Sequence, residues 1–95
     1  MDKYPLNITE SGDFEKLNEI IAFLRKEHRI EVKEIIDDFD EIYIDLDWGN
    51  KYITLDCSAF DGINLYPTPD TNTSDQIKYS DLQSLATDII KHVMS

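Results

Sequence analysis

The sequence is short of cysteine, glycine, histidine and positive charge, and each shortage closes off a kind of chemistry. Cys57 is the one cysteine, so no intramolecular disulfide forms and nothing points to an oxidising compartment. With three glycines in all, there is no glycine-rich loop to cradle a phosphate. Covalent catalysis needs an activated Ser, Cys or Lys beside a base. Cys57 falls on the predicted buried side of its strand, and His28 and His92 fall at predicted helix C-termini, where His28 serves most simply as a dipole partner. No stretch approaches the roughly 18 consecutive apolar residues of a membrane span, and the opening "MDKYPLNITESGDF" lacks a positive region followed by an apolar run. A cytoplasmic protein is the expectation. The sequons at Asn7 and Asn72 are then chance matches.

Positive charge is outnumbered: 9 Lys and Arg stand against 20 Asp and Glu, a net charge of −11. Such a surface repels nucleic-acid backbones and anionic lipids, and it attracts basic proteins, chiefly by raising their association rate. Direct nucleic-acid and membrane partners are therefore not expected. Plain solubility is the alternative reading of the same charge.

What is present is enough for a core. At 41% hydrophobic residues the chain differs from acidic disordered tails, and 95 residues make a single domain, 1–95. Residues Ser11 to His28 predict a helix, with Phe14, Leu17, Ile20, Ile21 and Leu24 in one apolar stripe and Ser11 or Asp13 as its cap. Strands are predicted near 30–36, 42–48, 51–57 and 62–66, joined by turn signals at "DDFD", "GN" and "FDG". A two-residue Gly49-Asn50 turn of the Gly-first type II′ sets the register of the central hairpin. Leu46 then faces Ile53, Ile44 faces Leu55 and Ile42 faces Cys57, while Asp47, Asp45 and Tyr43 face Tyr52, Thr54 and Asp56 on the other side. Trp48 shares the apolar parity and closes the core edge beside the turn.

The first hairpin is ambiguous, because pairing Ile36 with Ile42 puts Glu34 among apolar neighbours and a one-residue shift buries Lys33; a bulge resolves the conflict. After "PTPDTNTSDQ", a polar loop, "IKYS" adds a short extended piece. Ser80 then opens a second helix as a capping box with Gln83, carrying the stripe Leu82, Leu85, Ile89 and Val93. The result is an α+β fold, α-β-β-β-β-α: an antiparallel meander of three to four strands with an N-terminal and a C-terminal helix packed on one face. The opposite face is left to water.

That face carries the candidate site: Tyr43, Asp45, Asp47, Tyr52, Thr54 and Asp56, extended by Asn64 and Tyr66, with Asp37, Asp38, Asp40 and Glu41 as a second acidic run. Asp45 and Asp47 are too solvated for general acid-base work. Neither run has the ligand spacing of a calcium loop. A nuclease pair of the form Glu31-Val32-Lys33 comes before the candidate Asp rather than after it. No enzyme activity and no cofactor are expected. Tyr offers rigid contact area and Asp pairs with Arg or Lys, so the face suits a protein partner.

In size, acidity, scarcity of cysteine and element order the chain resembles bacterial toxin-immunity proteins, including those of contact-dependent growth inhibition systems. The resemblance implies an inhibitor that covers the active site or substrate groove of a basic toxin, often a nuclease. Asp45, Asp47, Asp56, Asp37, Asp38, Asp40 and Glu41 would then replace nucleic-acid phosphates, with Tyr43 and Tyr52 as anchors. Phage anti-CRISPR and DNA-mimic proteins look similar by the same criteria. A small metal-dependent enzyme using the Asp cluster, and a structural or homodimeric module without a heterologous partner, complete the alternatives; the protein itself is expected to be a monomer or weak homodimer.

Overall fold

The computed structural model describes residues 4–69 and 77–94; most of the predicted polar loop, with the Asn72 sequon, lies outside them. The elements run β1 (Leu6–Thr9), α1 (Phe14–Glu27), β2 (Glu31–Asp38), β3 (Glu41–Trp48), β4 (Lys51–Ser58), β5 (Gly62–Pro67) and α2 (Tyr79–Met94). The strands form one antiparallel sheet in the order β1-β5-β4-β3-β2. This is the expected α+β architecture with one addition: β1 precedes the first helix, so the sheet has five strands. Its four residues, Leu-Asn-Ile-Thr, are too few to show a period of their own.

Asp13 caps α1, its carboxylate accepting the Glu15 N–H at 2.8 Å. Leu17, Ile20 and Leu24 on α1, and Leu82, Leu85, Ala86 and Ile89 on α2, are buried against Ile44, Leu46, Ile53, Leu55, Cys57, Ile63 and Leu65. Those sheet residues all project from one face, so both helices lie on it, and a single apolar cluster joins the helix layer to the sheet. The second helix starts earlier than its capping box suggests. Lys78 O accepts from Leu82 N, which places the cap at Lys78 and Ser80 inside the first turn, and Ile77 leads straight into the helix without an extended piece.

The β3–β4 register matches the predicted one at every pair from Glu41↔Ser58 to Trp48↔Lys51. Its turn does not match. Gly49 and Asn50 both have positive φ, 59° and 72°, which is the type I′ pattern rather than II′; Asn tolerates the left-handed region well enough to take the second position.

The β2–β3 hairpin contains the anticipated bulge. Val32 pairs with Leu46 and Glu34 with Asp45, so Lys33 is inserted between them, and from there to the turn the register runs Ile35↔Ile44, Ile36↔Tyr43, Asp37↔Ile42 and Asp38↔Glu41. Neither Glu34 nor Lys33 is buried. Instead Lys33 reaches across the outer face until its ammonium lies 4.1 Å from the centre of the Tyr52 ring.

His28 does more than face a helix dipole. Its Nε2 lies 3.5 Å from an Asp88 carboxylate oxygen on α2, and its ring stands edge-on to Phe23 and to Trp48, tying the end of α1 to α2 and the β3–β4 turn. His92 stacks on the other side of the same cluster, 4.4 Å from Phe23.

Candidate functional site

Direct pairing puts opposed residues on one face, so the register assigns every predicted site residue to a side. Glu41, Tyr43, Asp45 and Asp47 of β3, Tyr52, Thr54 and Asp56 of β4, and Asp38 of β2 share the outer face, opposite the helices. Asp37 pairs with Ile42 and points to the helix side, while Asp40 sits in the exposed β2–β3 turn. The second acidic run is therefore divided, and only Asp38 and Glu41 join the face. Glu34, Ile36 and Lys33 also belong to it, and Asn64 and Tyr66 of β5 extend it.

Among the described residues no helix covers this face, yet its centre is closely filled. Thr54 is 2% exposed because Tyr43, Asp45, Tyr66 and Thr68 stand around it. The Thr54 hydroxyl donates to Asp45 Oδ1 at 2.9 Å and meets the Thr68 hydroxyl at 2.8 Å; with its own proton committed to Asp45, Thr54 accepts from Thr68. This chain of hydrogen bonds fixes the direction of the Asp45 carboxylate. Beside it, Ile36, Tyr43, Asp45, Thr54, Tyr66 and Pro69 line an open groove of about 260 Å³.

Asp47 is engaged locally, where its Oδ1 accepts the Asn50 N–H at 3.0 Å and closes the turn. Tyr52 is partly occupied by Lys33. Tyr43 and Tyr66, flanking the groove, are thus the aromatic groups best placed to meet another molecule.

At the other end of the face Asp56 meets Glu41 and feels the charge of Asp61. Burial raises the pKa of Asp56 to about 7, helped by a hydrogen bond to Glu41 and by the charges of Glu41 and Asp61. Asp56 Oδ1 is enclosed without a hydrogen-bond partner. The Tyr43 hydroxyl also donates to Glu41, which raises the Tyr43 pKa. Burial, with Asp56, Tyr43, Glu41 and Asp45 nearby, pushes Tyr66 up to about 12. The whole face is a field that disfavours further negative charge and favours an arriving cation.

The strand pairing adds to this field. Glu34 lies directly opposite Asp45, and Asp38 opposite Glu41. Opposed like charges destabilise a sheet, so the juxtaposition itself is unfavourable to the fold, even though Asp45 accepts from Thr54 and Asp38 from the Phe39 N–H. No family model, curated protein or solved structure matches this chain. The face has to be read from its own chemistry. Among the described residues no three His, Cys, Asp or Glu side chains converge in an arrangement able to hold a metal ion, and no helix is long and apolar enough to cross a membrane.

Sequence reasoning did not include Ile36, Lys33, Thr68 and Pro69. The first two were hidden by the ambiguous hairpin register, for which the bulge is the missing step. Thr68 reaches the face because its N–H bonds Tyr52 O beyond the end of β5, an extension with no sequence signal.

Proposed function

We propose that the protein is an acidic binding protein that neutralises a basic partner protein, acting as an immunity-type inhibitor whose outer sheet face covers the active site or substrate groove of a cognate nuclease-type toxin. The observation that supports this reading is the pairing of opposed carboxylates, Glu34 with Asp45 and Asp38 with Glu41, around a groove flanked by Tyr43 and Tyr66. Charge that costs stability has its use in a complex, where partner Arg and Lys side chains occupy the positions that phosphates take in the substrate. Tyr43 and Tyr66 then supply the desolvated contacts that hold the docked state.

The test is kinetic and uses the partner isolated from the native host. Asp45→Asn combined with Glu41→Gln is expected to slow association by about tenfold or more at low salt, with a smaller gap at high salt. The partner's own activity should fall stoichiometrically when wild-type protein is added. Unchanged association rates, or a partner that stays fully active in the complex, would overturn the reading.

A further inference from the structure

The two borders of the sheet are not alike. At one, β1 is four residues long and its pairing with β5 is broken between Asn7 and Thr9, a short and irregular edge of the kind that resists added strands. At the other, β2 is eight residues long, with β3 as its neighbour on one side and, among the described residues, no strand on the other. The bulge at Lys33 disrupts only its first part. From Glu34 to Asp38 the ladder is regular, every residue is exposed, and neither Lys nor Pro blunts the edge. Ile35 and Ile36 remain 58% and 47% exposed within it.

We propose that this edge of β2 pairs with an extended basic segment of a partner protein, which adds to the sheet as a sixth, antiparallel strand. The inference rests on the reading of the partner as basic and names how it is held. Backbone N–H and C=O groups of β2 that do not bond β3 point outward and supply the affinity, and the exposed side chains supply the selection. An antiparallel strand read from its N-terminus meets Asp38, Asp37, Ile36, Ile35 and Glu34 in turn. The complementary segment is therefore basic-basic-apolar-apolar-basic, with opposite charges and apolar pairs facing each other directly. A second copy of this chain fits worse. Antiparallel self-pairing centred on Ile36 sets Glu34 against Asp38 twice, pairing centred between Ile35 and Ile36 sets Glu34 against Asp37, and pairing centred on Ile35 runs into the bulge at Lys33. Two chains of net charge −11 also repel each other.

The probe is a synthetic heptapeptide, acetyl-TRRVVRT-amide, read by amide hydrogen exchange and chemical shifts of the full chain. Alternate amides between Glu34 and Asp38 are expected to exchange about tenfold or more slowly with the peptide present. The same peptide N-methylated at the amides that face β2 keeps its charge and should lose the protection, as should the Ile35→Lys variant, whose substitution lies on the helix side and leaves the outer face intact. Protection that survives N-methylation, shifts confined to the outer face, or concentration-dependent protection of β2 without peptide would each overturn the inference. The Glu41→Gln, Asp45→Asn variant should retain peptide pairing, so loss of edge pairing with docking preserved removes this inference alone. Edge pairing without docking on the face removes the earlier reading instead.

Discussion

Replacing Gly62 with alanine is expected to destabilise the protein by about 2 to 4 kcal/mol. Gly62 opens β5 with φ of 76°, a conformation that costs an L-residue energy before any contact is considered. A Cβ there would also lie 2.0 Å from Thr9 O and 2.7 Å from the carbonyl carbon of Glu10, both backbone atoms that no side-chain rotation can move aside. Relief requires the end of β1 to separate from β5. The measurements are the urea midpoint, which should fall, and amide exchange, which should accelerate in β1 more than in the helices. An unchanged midpoint would show that the β1–β5 contact contributes little.

Asp56→Asn should act in the opposite direction, and only above the pH at which the carboxyl of the unfolded chain ionises. The group has a pKa of about 7 in the fold against 3.8 as the ordinary value. Between about pH 4 and pH 7 the folded chain keeps a proton that the unfolded chain has released, so stability falls as pH rises through that window and the full penalty is present above it. A shift of that size corresponds to roughly 4 kcal/mol at full effect, and partial contact with water reduces this to about 2. Asparagine is neutral at every pH and donates to Glu41 in place of the acid proton. The variant is expected to be about 2 kcal/mol more stable than wild type at pH 8 and nearly equal to it below pH 4. Urea titrations at pH 4, 6 and 8 decide it; a gap independent of pH would mean that Asp56 does not carry the proton.

The central hairpin was the most legible part of the fold, because alternation of Ile42, Ile44 and Leu46 with Tyr43, Asp45 and Asp47 admits one register when a face is buried. Even its turn type was out of reach, since Gly-Asn is compatible with both mirror-image turns and only the φ of Asn50 separates them. The β2 strand was less readable for a physical reason: from Glu34 to Asp38 this edge strand is exposed at every residue and has no buried side to enforce a period, and Ile35 and Ile36 in succession fit either phase. The acidic run from Asp37 to Glu41 looked continuous in the chain. The hairpin sends Asp37 to the helix side and Asp38 and Glu41 to the outer face, and it leaves Asp40 at the tip. The placement of the carboxylates followed from strand parity, whereas the raised pKa of Asp56 depends first on its burial in the folded sheet, which no local pattern encodes.

Leu6 pairs with Leu65 and Asn7 with Asn64, so the first strand of the sheet takes its place beside the last. Every other neighbouring pair of strands is joined by a short turn and can zip up locally. Closing so long a loop is entropically slow, and β1 therefore waits for the rest of the sheet before it locks the border of β5. Until then β5 is a bare border of its own, so the docking of β1 removes one of the two places at which the assembling sheet could take up a foreign strand.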